Sequence, residues 1–174
     1  MKLNYPFTEA DSQRAYDAWG ANCGPNALAV CLNMTLDAIR PCLGDFESKR
    51  YMSPTMMKVA IAAAGAYIPS DHRGENLVWP TFGLVRIQWH GPWMATGANP
   101  KWAYGRTHWI HVRESDLESW TFDVNGGWRT TQDWAKTIAP VLAKSVPRSN
   151  GEWSLTHSWE VSKAKKLEAS QCNT

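Results

Sequence analysis

Apolar residues recur along this chain in two rhythms, and the change falls near residue 75. Ahead of it the pattern is helical. Ser12 to Trp19 leads into the turn-rich stretch Gly20-Ala21-Asn22-Cys23-Gly24-Pro25-Asn26. Ala27-Leu28-Ala29-Val30-Cys31-Leu32-Asn33 follows, dense enough in apolar helix formers to predict a buried helix. Pro25 suits the first turn of that helix, where a missing N–H costs nothing. Thr35 to Cys42 predicts a short helix. Ser53-Pro54 pairs an N-cap with proline at the first helical position, predicting a helix over Thr55 to Ala64 that Gly65 ends. Met56, Val59, Ala60 and Ala63 would form its core face.

Beyond residue 75 the pattern shortens to strands. Gly83 to Trp89 alternates and is β-prone, and Thr107 to Arg113 and Trp120 to Val124 read the same way. Asn125-Gly126-Gly127 closes the last of these with a strong turn signal. His90 to Pro100, punctuated by glycine and proline, is a loop. Trp128 to Leu142 reads as a helical or irregular connection, and Ser154 to Ser162 as a fourth strand. Helices followed by antiparallel strands define an α+β fold. With 174 residues, one domain over 1–174 is expected, carrying a polar tail from about residue 163.

Composition narrows the function. Eighteen basic residues against 16 acidic give a net charge of +2, with no basic block beyond Lys163 to Lys166. Neither nucleic acid nor a membrane surface is therefore an expected partner. The longest apolar run, Val59 to Ala66, is far short of the roughly 20 residues that span a bilayer. The start of the chain lacks a signal-peptide pattern, so a cytoplasmic protein is expected, with Cys23, Cys31, Cys42 and Cys172 as thiols. No cysteine pair has zinc-type spacing, and no metal or cofactor is expected. Tryptophan is abundant, 11 in all.

Cys23 is the residue with chemistry to explain. A thiol at a helix N-terminus feels the positive end of the macrodipole and several unpaired N–H groups, which favour the thiolate. Its own N–H could serve an oxyanion forming beside the sulfur, and Gly24 would let a substrate approach closely. Such a nucleophile needs a base, and the base an orienting group. His108 opens the second predicted strand and Asp123 ends the third, fifteen residues on. Antiparallel pairing would bring those two ends together. His111 lies three positions along and should face the other side of the sheet. His157 is a weaker candidate base, without a suitably placed acid.

Asn22-Cys23-Gly24-Pro25-Asn26-Ala27-Leu28-Ala29, with Thr107-His108-Trp109-Ile110-His111-Val112 and Phe122-Asp123-Val124-Asn125, resembles the papain-like cysteine peptidase superfamily. The nearest likeness is to the compact branch that includes bacteriocin-processing peptidases, with their Asp-Cys-Gly-Pro motif. Residues 88 to 93 and 107 to 109 also resemble segments of small cysteine peptidases encoded by phages and prophages. The resemblance spans about residues 16 to 161. It implies a papain-like fold, with the nucleophile at a helix N-terminus packed on a tryptophan-rich antiparallel sheet. It assigns Cys23 as nucleophile, His108 as general base and acid, and Asp123 as the orienting group. The substrate would be a peptide or protein, cleaved through a thioester in the cytoplasm of a bacterial host. An acyltransferase with the same triad is one alternative, and a catalytically weak phage-encoded module binding a host protein is another. The superfamily's oxyanion glutamine, about six positions before the cysteine, is replaced here by Asp17. Candidate donors are therefore Asn22, Asp17 and Gln88. Trp93, Trp102 and Trp109 are candidate walls of the cleft.

Overall fold

The computed structural model describes residues 6–163, so the polar tail expected beyond 163, and Cys172 with it, lies outside the described residues. Five helices come first: α1 (Glu9–Trp19), α2 (Cys23–Leu32), α3 (Leu36–Ile39), α4 (Phe46–Lys49) and α5 (Pro54–Ala63). Strands β1 (Ala66–His72) and β2 (Phe82–Trp89), short helix α6 (Lys101–Tyr104) and strands β3 (Thr107–Glu114), β4 (Ser119–Asp123) and β5 (Gly127–Thr130) follow. Next come α7 (Thr131–Asp133), a π-helical turn (Trp134–Ile138), α8 (Ala139–Ser145) and β6 (Trp153–Lys163). The fold is α+β around one six-stranded antiparallel sheet in the order β1-β6-β2-β3-β4-β5.

Local chemistry sets the helix ends. Thr8 and Asp11 form a reciprocal capping box at α1, and Gly20 ends that helix at φ 69°, a left-handed conformation costly to a residue with a Cβ. Ser53 caps α5 as its sequence predicts, accepting from the Met56 N–H at 3.2 Å. The core face of α5 differs from the expected stripe: Met57, Ala60 and Ile61 are buried, whereas Val59 is 60% exposed and Ala63 is exposed. The alanine-rich run is apolar on most sides, so its pattern admits more than one stripe. Packing selects the one that sends Met57 beneath α2, with its Cε 3.6 Å from where a Gly24 Cβ would stand.

Both faces of the sheet are covered. Leu84, Trp109, Phe122, Trp159 and Val161 pack against α1 to α5, while Val85, Ile87, Trp89, Ile110 and Val112 pack against Trp134, Ala139 and Ala143. This explains why β2 is buried continuously from Gly83 to Trp89 rather than alternating as expected. Gly83 is required there, since a Cβ would stand 1.7 Å from the Trp159 carbonyl oxygen of β6. The π-helical turn also has a local cause. Pro140 has no N–H for the Lys136 carbonyl, and the chain widens just ahead of it, the Ala139 N–H reaching back to the Trp134 carbonyl. Among the described residues no helix is long and apolar enough to cross a membrane.

Candidate active site

Cys23 is the first residue of α2, with Asn22 as N-cap. The Asn22 side chain leaves the helix end uncapped and donates instead to the Ser12 carbonyl (3.1 Å) and Ser12 Oγ (3.2 Å), tying α2 to α1. A helix leaves its first N–H groups without intrahelical acceptors. With Pro25 at the third position, the orphans of this first turn are the N–H groups of Cys23 and Gly24. Gly24 itself is buried: a Cβ there would meet Met52 Cβ at 2.7 Å. Its glycine serves the close approach of the Met52 segment rather than, as expected, the approach of a substrate.

The strands bring the other two groups together. β3 and β4 run antiparallel with His111 opposite Phe122, and continuing that register sets Asp123 against Ile110. Asp123 and His108 therefore share a face. His108 Nε2 lies 2.9 Å from Asp123 Oδ2, both side chains being buried. With Nε2 so engaged, Nδ1 is the nitrogen left for Cys23, whose thiol is coupled electrostatically to the imidazole. Ladder pairing of β4 with β3 stops at His111, which leaves the start of β3 open to α2. The Trp109 N–H of that segment is among the groups that favour a thiolate at Cys23.

Each carboxylate oxygen of Asp123 has its own task. Oδ2 accepts from His108 and from the indole N–H of Trp134 at 2.8 Å. Oδ1 accepts the Asn125 backbone N–H (2.8 Å) and Nδ2 (3.2 Å). A turn-capping role and a histidine-orienting role thus coexist on one side chain. Trp89 flanks the other side of His108, with ring centroids 5.8 Å apart.

The electrostatics follow from this packing. Burial disfavours the Cys23 thiolate, but the His108 charge and hydrogen bond, joined by the Trp109 N–H, outweigh it and hold the thiol below its ordinary value. Burial likewise disfavours the His108 imidazolium, and Asp123 with Cys23 overcomes it, raising His108 well above the usual range. Asp123 stays below the ordinary carboxylate value despite burial, chiefly through His108. These shifts favour a thiolate–imidazolium pair. Cys31, by contrast, is buried and its thiol is pushed up. Cys23, Cys31 and Cys42 are all free.

His111 faces the opposite side, as its position predicts. It is buried, hydrogen-bonded through Nδ1 to the Gly83 carbonyl at 2.7 Å, and burial drives it down to about 4. His157 stands on β6, its ring against Thr156 Oγ1 at 3.2 Å.

The expected oxyanion donors are placed elsewhere. Asp17 is exposed on α1 and accepts from Gln13 Nε2 at 2.8 Å. Asn22 is held by Ser12 as described. Gln88 is buried and donates to the carbonyls of Trp89, Ala103 and Arg106 at 3.1, 3.3 and 2.9 Å, fixing the loop ahead of β3. Of the cleft-wall tryptophans, Trp109 lines the cavity of about 120 Å³ at Cys23, together with Tyr51, Met52, Tyr104 and Thr107. Trp93 and Trp102 line a separate, larger cavity. Among the described residues no cluster of three or more His, Cys, Asp or Glu could hold a metal ion.

Three contributors had no distinct signal in the sequence. Trp134 is one tryptophan among many until the π-helical turn aims it at Asp123. The Trp109 N–H is backbone. Arg86 on β2 is buried, bonded through Nη1 to Thr156 Oγ1 at 3.0 Å, with Nε unpartnered. Burial brings its pKa down to about 10, opposed by Tyr104 and Cys23, so its charge favours an anion at the sulfur. No family model, curated protein or solved structure matches this chain.

Proposed function

We propose that this chain is a papain-like cysteine peptidase, cleaving a peptide or isopeptide bond through a thioester. The observation that carries this is a helix-start thiol, Cys23, coupled electrostatically to a histidine, His108, that is itself hydrogen-bonded to the buried Asp123 carboxylate. A nucleophile at a helix start, packed on an antiparallel sheet that supplies its base and orienting acid, supports the papain-like assignment. The Cys23 thiolate attacks the carbonyl carbon. The developing oxyanion is met by the Cys23 and Gly24 N–H groups at the α2 terminus. His108, protonated and braced by Asp123, gives its proton to the departing amine. It then takes a proton from water, which attacks the thioester and releases the acid and the free thiol. A reducing cytoplasm, as expected from the sequence, keeps the thiol available.

The test needs no knowledge of the natural substrate. An activated ester such as p-nitrophenyl acetate should acylate Cys23 in a burst, mapped by peptide mass, and slow deacylation should follow. Addition of hydroxylamine or a primary amine separates hydrolysis from acyl transfer by the product formed. Acylation spread equally over Cys23, Cys31 and Cys42, or absent from Cys23, would refute the proposal.

A further inference from the structure

The loop between β2 and β3 encloses a cavity of about 580 Å³, lined by Trp93, Lys101, Trp102, Gly105 and Arg106, with Arg148 from beyond α8. That volume falls in the range of roughly 300–1,000 Å³ typical of ligand sites. Three cations converge on it and no acidic side chain lines it. Among the described residues, none of the three takes part in an ion pair. The cavity beneath α1 and α3 makes the contrast plain, since there Arg14 and Arg40 are balanced by Asp11 and Asp37. Arg106 stacks over the Trp93 ring at 5.4 Å, which holds its charge in place. Trp102, 64% exposed, presents a large apolar face at the rim.

Position assigns the ligand. Gly105 lines both this cavity and the one at Cys23, so the two adjoin with a residue lacking a side chain between them. A chain lying across Gly105 would present its backbone to the thiol and its side chains to the cations. Unbalanced cations around one hollow repel each other, and an anion entering it relieves that repulsion. We propose that this cavity is a specificity subsite for an acidic stretch of the polypeptide substrate. Glu or Asp carboxylates would meet Lys101, Arg106 and Arg148, and an apolar side chain would rest on Trp102. The inference rests on the peptidase reading for the word substrate, and its binding chemistry is separable from catalysis.

The experiment therefore uses the Cys23→Ala protein, which lacks the nucleophile. Fluorescein-labelled decapeptides of alternating alanine–glutamate and alanine–glutamine, and a ten-nucleotide oligothymidine, are compared by fluorescence anisotropy. The glutamate peptide should bind at least about tenfold more tightly than the glutamine peptide, the preference fading with salt. Lys101→Glu/Arg148→Glu, at two exposed positions, should weaken it by about tenfold while circular dichroism stays unchanged. Arg106→Gln should weaken it on its own. Equal affinity for the two peptides, an unchanged double variant, or tighter binding of oligothymidine would each overturn the assignment. If Cys23 fails to acylate yet the glutamate peptide binds as described, the peptidase reading falls and the acidic-peptide site stands. If Cys23 acylates and the glutamate peptide shows no such preference, the acidic-peptide site falls and the peptidase reading stands.

Discussion

Replacing Asp123 by Asn separates orientation from charge at the candidate site. The carboxylate is fully buried and accepts from four donors, two at each oxygen. An amide has only one oxygen. If that oxygen keeps the Asn125 contacts, the new NH₂ faces the Trp134 indole N–H, and His108 must turn its Nε2 lone pair toward it. Nδ1 then carries the proton and can no longer accept one from Cys23. If the oxygen keeps His108 and Trp134, the NH₂ confronts the Asn125 donors. Either way buried donors are orphaned, at about 1–3 kcal/mol of stability. The loss in rate is larger, because the imidazolium also loses its counter-charge: on the order of 10³- to 10⁴-fold, or about 4 to 5.5 kcal/mol. Asp123 raises the His108 pKa, so its removal should also bring the alkaline limb of the pH profile down in pH. The assay is the pH dependence of burst acylation by p-nitrophenyl acetate, beside urea unfolding of the same samples. Parental acylation from a variant that unfolds at the parental urea concentration would refute the reasoning and leave Cys23–His108 as a dyad.

Three further outcomes are expected. His111 is neutral in the fold, down to about 4, and the unfolded chain binds its proton first. Stability should therefore fall by about 3 kcal/mol as pH drops from 6.5 to 4. His111→Gln, which can still donate to the Gly83 carbonyl, should flatten that slope in urea titrations, and an unchanged slope would exclude His111 as its source. Trp134→Phe removes only the indole N–H from Asp123. It should slow acylation about fivefold to tenfold, near 1 kcal/mol, with little change in KM; an unaltered rate would show that His108 alone fixes the carboxylate. Gly83→Ala drives a Cβ into the Trp159 carbonyl and should destabilise the sheet by about 4 kcal/mol or more in denaturant unfolding, so a parental midpoint would contradict the strand register.

The strongest local signals carried furthest. Ser53-Pro54 started α5 where predicted, and the four strand patterns emerged with no end shifted by more than one residue. The helix-start cysteine, strand-start histidine and strand-end aspartate were legible because each sits at an element boundary that short-range chemistry marks. Two strands were not. β1 contains Pro69 and half-buried residues, and β5 is four residues long behind a glycine turn. Neither has an apolar rhythm of its own, and each is held by its neighbour's edge. The expected oxyanion side chains failed for a related reason. Sequence spacing says how far a group lies from Cys23 along the chain, but not which carbonyl will claim its N–H first. Asn22 and Gln88 are both claimed by backbone.

The sheet order has a bearing on how such a molecule comes into being. β6 is the last strand among the described residues, yet it lies between β1 and β2. A polypeptide made from its N-terminus has Cys23, His108 and Asp123 already synthesised while the slot between those two strands still stands empty. Early domains or half-domains can fold as they emerge, but this one cannot close its central sheet until residues 153–163 arrive. On the proposed reading, the sheet that carries the base and its orienting acid stays split until that strand is in place.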